Sequence, residues 1–156
     1  MANETAIFGA GCFWGVEAAF RRIDGVVETE VGYAGGDLPD PDYRAVCAGH
    51  TGHAEVVRVV FDPDRLSYGH LLAVFFEIHD PTLLNRQGPD VGSQYRSVIL
   101  THGPEQMAAA QAAKARLEAS GRFASPIVTE IVEAGPFYAA EDYHQRYFEK
   151  RGLHSK

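Results

Sequence analysis

The sequence predicts an α+β fold, in which helices and a β-sheet form a two-layer α/β sandwich. Segments that alternate apolar and polar residues, or that are rich in β-branched residues, are interleaved with segments of helical spacing. The first six predicted elements follow one another in the order β-α-β-β-α-β. No repeat, linker or low-complexity tract interrupts the 156 residues, so we expect a single domain over residues 1–156.

The first four elements lie within residues 6–61. A short apolar run before a glycine turn predicts a buried strand at 6–8. Apolar residues at helical spacing predict a helix over 13–22, which Asp24-Gly25 ends. Alternation predicts a strand at 26–33, and β-branched residues predict a buried strand at 54–61.

The second half of the chain contains one long stretch without a regular pattern. The predicted elements are a helix at 67–79, an irregular stretch at 80–95, a strand at 97–101, a helix at 104–120, a strand at 127–133 and a terminal helix at 138–150. Ser67 is a plausible N-cap, and Pro104 is typical of a first helical turn. An irregular stretch of more than ~12–15 residues is usually functional or disordered. The element order is that of a ferredoxin-like core with C-terminal additions.

Composition and charge exclude several classes of protein. Hydrophobic residues make up 46% of the chain and charged residues 22%, which is typical of a folded globular protein rather than a disordered one. With 14 Lys and Arg against 21 Asp and Glu, the net charge of −7 argues against a nucleic-acid partner and against a polybasic membrane patch. No window approaches the ~18 apolar residues of a membrane-spanning helix, so we expect no membrane segment.

The cysteine content indicates a reducing compartment. The chain has two cysteines, Cys12 and Cys47, too few for a disulfide framework. The first residues do not have the charged and apolar regions of a secretory signal. We therefore expect a cytoplasmic protein, and a monomer.

Residues 11–15 contain the first candidate for chemistry. Cys12 stands where a strand meets the first turn of a helix, and there free backbone N–H groups and the helix dipole favour an anion. Such a thiol is expected to have a lowered pKa and to react as a thiolate, although a buried, inert cysteine is the alternative. Phe13 and Trp14 are adjacent, so they cannot both face one core, and each is a candidate for either an apolar pocket wall or ordinary core packing.

Other functions remain open on the residues alone. His50, His53 and Glu55, with the more distant pair His79-Asp80, could form a metal site, although their spacing is a weak signal. A cysteine acyl-transfer hydrolase would combine Cys12 with a histidine base such as His53 and with Glu55 as the orienting acid. A third alternative is a redox-sensing module in which Cys12 is oxidised without turnover.

Several further segments accompany residues 11–15 in a recognisable order. They are residues 31–36, 43–47, 51–56, 79–82, 85–97, 136–138 and 140–145. Together these segments resemble the signatures of the A-type peptide-methionine sulfoxide reductases over nearly the whole chain. The resemblance implies reduction of the S epimer of methionine sulfoxide, free or in proteins, to methionine.

The resemblance assigns catalytic roles to four residues. Cys12 matches the nucleophile that attacks the sulfoxide sulfur and becomes a sulfenic acid. Glu55 matches the general acid that protonates the sulfoxide oxygen, while Tyr43 and Tyr95 match the two tyrosines that donate hydrogen bonds to that oxygen. The apolar strand around Glu55 favours burial over a solvated position, and burial would raise its pKa. For each tyrosine, packing with the hydroxyl in water is the alternative.

The resemblance also implies a binding pocket. Phe13 and Trp14 match apolar walls that hold the S-methyl group of the substrate, and Asp90 matches an acidic pocket residue that binds or orients. The chain departs from the family pattern at Pro89, where asparagine is usual, and at Ser93, where threonine is usual. Pro89 restricts Gly88 and removes one N–H, so the loop beside Asp90 could differ in geometry.

The route of regeneration stays open. Many family members carry resolving cysteines near the C-terminus, whereas no cysteine follows Cys47 in this sequence. Either Cys47 resolves the sulfenic acid of Cys12, or an external thiol such as thioredoxin reduces it and Cys47 is a bystander. No cofactor and no metal are implied, because the electrons come from thiols.

Overall fold

The computed structural model describes residues 3–49 and 51–150. The described strands are β1 (Glu4–Ala10), β2 (Val26–Ala34), β3 (Ala54–Phe61), β4 (Arg86–Gln87), β5 (Asp90–Val91), β6 (Ser97–Thr101), β7 (Glu130–Glu133) and β8 (Phe137–Ala139). The described helices are α1 (Phe13–Arg21), α2 (Tyr43–Cys47), α3 (Tyr68–Glu77), α4 (Pro104–Ala119) and α5 (Tyr147–Lys150), with 3-10 turns at Ser93–Tyr95 and Asp142–His144. Each of these helices is too short or too polar to cross a membrane.

One mixed sheet organises the chain. Its strand order is β7-β6-β1-β3-β2-β8, in which β6 and β7 are parallel and the other neighbours are antiparallel. The strands β4 and β5 form a separate hairpin. The prediction of a fold that combines helices with a β-sheet is therefore confirmed.

The two faces of the sheet bury different sets of side chains. Because side chains alternate along a strand, Val57 and Val59 of β3 lie on the face that packs against α1, α3 and α4, while Val56 lies on the other face. Phe8 of β1 is central to the larger core, with its ring centroid 5.1 Å from that of Phe20 in α1. Glu55 shares the alternation of Val57, which directs it under α1.

The local signals explain most of the helix starts. The side chain of Ser67 accepts a hydrogen bond from the backbone N–H of His70, as an N-cap does, and Pro104 occupies the first turn of α4. The structure adds α2, which was not predicted. Its N-cap is Asp42, whose carboxylate accepts a hydrogen bond from the N–H of Ala45.

The predicted terminal helix over 138–150 is wrong except for its last turn, α5. The segment instead forms β8, a 3-10 turn and then α5. β8 pairs with β2 and so satisfies backbone groups on the outer edge of that strand. A side chain at Gly32 of β2 would come within 2.5 Å of the carbonyl oxygen of Tyr138, so glycine permits this close pairing.

Candidate active site

Cys12 lies at the turn between β1 and α1. Gly11 has a φ of 104°, a conformation that favours glycine, and a side chain there would come within 3.0 Å of Gln87. Cys12 is the N-cap residue and makes no capping hydrogen bond with its side chain. The sulfur is only partly buried and lies near the start of the helix, where the backbone N–H groups of Trp14 and Gly15 act on it.

The expectation of a lowered thiol pKa at Cys12 is wrong for this structure. Burial raises the pKa of Cys12 to about 11, and the negative charges of Glu55 and Asp90 act in the same direction. The N–H groups of Trp14 and Gly15 oppose this shift without outweighing it. The thiol is consequently protonated at neutral pH, and a reaction must remove its proton.

Glu55 lies beneath the first residue of α1. One carboxylate oxygen, Oε1, accepts a hydrogen bond of 3.1 Å from the backbone N–H of Phe13, which follows Cys12 in sequence. The other oxygen, Oε2, is buried and makes no hydrogen bond within the described part of the chain. Burial raises the pKa of Glu55 to about 7, with the N–H of Phe13 opposing and Asp90 adding to the shift. This carboxyl group can both hold and release a proton near neutral pH.

The two tyrosines, Tyr43 and Tyr95, lie close to each other and to Glu55. Tyr43 begins α2 and Tyr95 ends a 3-10 turn, and both are half-buried. Burial raises the pKa of Tyr95 to about 12, and the charges of Glu55, Cys47, Asp90 and Cys12 contribute. Because four ionisable groups act on one hydroxyl, Tyr95 lies among the candidate site residues.

Cys47 and Asp90 also reach the site. Cys47 is exposed at the end of α2, where its sulfur interacts with the hydroxyl of Tyr43. Partial burial of that sulfur raises the pKa of Cys47, although the Tyr43 hydroxyl opposes the shift. Asp90 opens β5, two residues after Gly88, whose φ of 55° suits the first position of a two-residue hairpin turn. Pro89 fills the second position of that turn, where the strand pairing of β4 and β5 does not need its N–H.

The two residues that follow Cys12 in sequence pack against other aromatic rings. Phe13 is buried, with its ring centroid 5.7 Å from that of Tyr33 and 6.4 Å from that of Tyr43. Trp14 is half-buried and stacks on Tyr147 at 3.8 Å with nearly parallel planes. Phe13 thus belongs to the core as well as to the site, whereas Trp14 lies at the boundary.

The C-terminal segment contributes residues to which sequence reasoning assigned no role. The carboxylate of Glu141 accepts hydrogen bonds from the hydroxyl of Tyr33 at 2.9 Å and from the backbone N–H of Tyr43 at 3.0 Å. Its burial acts to raise the pKa of Glu141, but the hydrogen bonds lower it below the ordinary range. Glu141 therefore fixes the start of α2 against β2. The motif at 140–145 was the available signal, but no spacing rule indicates such partners.

The histidines do not support the hydrolase or the metal alternative. The ring of His53 accepts from the N–H of Gly36 at 3.0 Å and donates to the carbonyl of Leu38 at 2.7 Å, so neither nitrogen is available to Cys12. His79 uses its two nitrogens on Phe75 and Ser97. No three His, Cys, Asp or Glu residues cluster as metal ligands in the ranges 3–49 and 51–150, and His50 of that alternative lies outside them.

Comparison with known protein families identifies the kind of protein that contains this site. The family model described as peptide methionine sulfoxide reductase matches residues 4–155. The chain belongs to this family. It is therefore an oxidoreductase that reduces methionine sulfoxide, which excludes the non-catalytic alternative.

Relatives and solved structures agree with the family. The peptide methionine sulfoxide reductase MsrA of Methanothermobacter thermautotrophicus is 65% identical over 94% of this chain and 87% of its own length. Mxr1 of Saccharomyces cerevisiae in its reduced form has a TM-score of 0.90 at 36% identity, with 97% of this chain and 87% of that chain covered. Methionine sulfoxide reductase A of Corynebacterium diphtheriae has a TM-score of 0.87 at 43% identity, with 97% and 76% covered.

Proposed function

We propose that this reductase acts on the S epimer of methionine sulfoxide, free or in proteins, through the sulfur of Cys12. The sulfur of Cys12 attacks the sulfoxide sulfur and forms a sulfur–sulfur bond as the sulfoxide oxygen gains a proton. The oxygen is then transferred to the sulfur of Cys12, so that the sulfur–oxygen bond of the substrate and the new sulfur–sulfur bond both break. Cys12 is left as a sulfenic acid, and methionine leaves. The observation that carries the proposal is the position of Glu55: it is hydrogen-bonded to the residue after Cys12, and its other oxygen is buried without a hydrogen-bond partner among the described residues.

The proton balance follows from the two pKa values. At neutral pH the thiol of Cys12 holds its proton, while Glu55, with a pKa of about 7, is divided between its two forms. The reaction moves a single proton: the thiol of Cys12 loses one proton, and the sulfoxide oxygen gains one. Glu55 accepts that proton and delivers it to the oxygen as a general acid. Once neutral, Glu55 no longer raises the pKa of Cys12.

The substrate is recognised by two kinds of contact. Phe13 and Trp14 provide the apolar walls against which the S-methyl group lies, and this favours a thioether-like side chain. Tyr43 and Tyr95 donate hydrogen bonds to the sulfoxide oxygen, which selects the oxidised form. Asp90 orients the bound substrate, and its charge acts on both Cys12 and Glu55.

Regeneration completes the cycle. A solved structure of Mxr1 in complex with Trx2 has a TM-score of 0.67 to this chain at 25% identity, and it supports thioredoxin as the reductant here. Another thiol could take that role by the same chemistry. Cys47 remains the candidate resolving cysteine, supported by the contact of its sulfur with Tyr43.

The finer features of the fold and setting are part of the proposal. The order β6-β1-β3-β2, with antiparallel neighbours, supports a ferredoxin-like core, to which β7 and β8 are additions. Two free cysteines support a reducing, cytoplasmic setting. A monomeric protein is part of the same proposal. Electrons from thiols make a cofactor unnecessary.

A single-turnover reaction tests the function. The protein, without added thiol, is mixed with one equivalent of N-acetyl methionine S-sulfoxide, and methionine product and protein mass are measured. We expect about one equivalent of product, a protein that gains one oxygen or loses two hydrogens, and no reaction for Cys12→Ser or for the R epimer. Product from Cys12→Ser would refute the mechanism.

The same reaction separates the two routes of regeneration. A gain of one oxygen indicates a stable sulfenic acid, whereas a loss of two hydrogens indicates a disulfide between Cys12 and Cys47. Cys47→Ser is the matched control, because it keeps Cys12 but cannot form that disulfide. Thioredoxin-driven turnover that is unchanged in Cys47→Ser would make Cys47 a bystander.

A further inference from the structure

Trp14 makes a hydrogen bond that determines the protonation state of its partner. Its indole Nε1–H donates to Nδ1 of His144 at 2.9 Å. An indole nitrogen can only donate, so Nδ1 of His144 must be the acceptor and the ring proton must be on Nε2. This bond therefore requires neutral His144.

The surroundings of His144 favour the neutral form. The residue is 1% exposed, and its ring packs against those of Phe13, Tyr43 and Tyr143, with centroids 4.2–5.2 Å away. Burial lowers the pKa of His144, and the charge of Glu141 only partly opposes this shift. His144 is thus a neutral acceptor at physiological pH.

His144 is held in place by its neighbours in sequence. The side-chain amide of Gln145 accepts a hydrogen bond from the N–H of Val31 in β2 and donates one to the carbonyl of Val31, each at 2.9 Å. The next residue, Arg146, donates its backbone N–H to the buried carboxylate of Glu17 in α1 at 2.7 Å. The segment is fastened to both β2 and α1, so the acceptor presented to Trp14 has a fixed position.

Stacking alone does not fix the indole of Trp14. Its ring lies on that of Tyr147 with a centroid distance of 3.8 Å and an interplanar angle of 7°. Such stacking defines the plane of the ring but permits sliding and rotation within that plane. The hydrogen bond to His144 supplies the missing restraint, because it fixes which edge of the indole faces the protein and which edge faces the pocket.

We propose that His144 is the positioning residue for Trp14, holding the indole through Nδ1 so that it forms the wall against which the substrate methyl group binds. The proposal rests on the proposed function of Trp14 as that wall. His144 does not touch the substrate and takes no part in proton transfer. Its loss affects binding of the sulfoxide more than the chemical step.

The indole N–H resonance reports directly on the hydrogen bond. The chain contains one tryptophan, so ¹⁵N-labelled protein gives one indole signal. We expect this signal downfield and protected from solvent exchange in the wild type and in His144→Asn, whose side-chain oxygen replaces Nδ1. In His144→Leu it should move upfield and exchange faster. An unchanged signal in His144→Leu would overturn the proposal.

Single-turnover kinetics test the effect on binding. His144→Leu is expected to raise the sulfoxide concentration at half-maximal rate about three- to tenfold, the effect of losing one neutral hydrogen bond. The maximal rate should change less than about twofold, and His144→Asn should restore most of the binding. A matched control is His70→Leu, which removes an exposed histidine of α3. A loss confined to the maximal rate would overturn the proposal.

A double-mutant cycle shows whether His144 acts through Trp14. Trp14→Phe removes the indole N–H but keeps an aromatic ring. If His144 acts only through that N–H, His144→Leu should have no further effect on binding in the Trp14→Phe background. Independent effects that multiply would overturn the proposal. The resonance measurement needs no activity, so failure of the proposed function would leave the His144–Trp14 bond measurable and would be recognised separately.

Discussion

The substitution Glu55→Gln tests the proton transfer separately from the structural role of the side chain. The glutamine oxygen can still accept the 3.1 Å hydrogen bond from the N–H of Phe13, so the turn that carries Cys12 is retained. The amide cannot hold the proton that moves to the sulfoxide oxygen. We expect the single-turnover rate at neutral pH to fall by about 10²–10⁴, the usual contribution of a positioned general acid.

The pH profile gives a sharper result than the rate at one pH. With a pKa of about 7 for Glu55 and about 11 for Cys12, the pair holds one proton between these values and two below pH 7. The pair reacts in the form that holds one proton. The rate at low sulfoxide concentration should therefore rise about tenfold per pH unit up to about pH 7 and then stay constant. Glu55→Gln should lose the break near pH 7 and keep rising as the thiol ionises.

The assay is rapid quenching with the free enzyme and N-acetyl methionine S-sulfoxide, with methionine product quantified by chromatography. Glu28→Gln serves as the matched control, because it neutralises an exposed carboxylate on β2. A loss of less than about threefold, or a break near pH 7 that persists in Glu55→Gln, would refute the assignment of Glu55 as the proton carrier.

Three further predictions concern stability and the pocket. Folding raises the pKa of Glu55 from 4.5 to about 7, so ionisation of this carboxyl destabilises the folded protein as pH rises through that range. Between about pH 5 and pH 8, the free energy of unfolding of Glu55→Gln, measured with urea, should therefore increase by about 2–3 kcal/mol relative to that of the wild type. A difference between the two proteins that does not change with pH would contradict this. Tyr43→Phe and Tyr95→Phe should each slow single turnover about ten- to a hundredfold, and an unchanged rate for both would contradict their role as donors. Gln145→Ala should lower the free energy of unfolding by about 1–3 kcal/mol, because it removes the side-chain partner of the Val31 N–H and of the Ala140 carbonyl, while the Val31 carbonyl keeps its bond from the N–H of Ala140. Denaturant unfolding measures this directly.

The sequence was most informative where the pattern was local. The helices α1, α3 and α4 and the strands β1, β2, β3 and β6 follow from periodicity, Ser67 and Pro104, because these signals act within a few residues. β8 could not be predicted in this way, because its partner is the free edge of β2, about a hundred residues earlier in the chain. That residues 1–156 form one domain stays a prediction.

Predictions about the site had a similar limit. The motifs around Cys12 and Glu55 named the central residues, and the apolar strand around Glu55 correctly indicated a raised pKa. The pKa of Cys12 was predicted in the wrong direction, since helix-start N–H groups are visible in sequence while burial and the charge of Asp90 depend on the folded chain. The roles of Glu141 and His144 likewise depend on long-range contacts.

The attachment of the last described segment has a consequence for synthesis of the protein. The strands and helices that carry Cys12 and Glu55 are complete once residue 61 has been added, yet Glu141, His144 and Tyr147 complete the surface beside them. A nascent chain on the ribosome would thus display its reactive sulfur in an unfinished cleft. Because chains emerge from the N-terminus first, full repair capacity should arise only after residue 147 has left the ribosome.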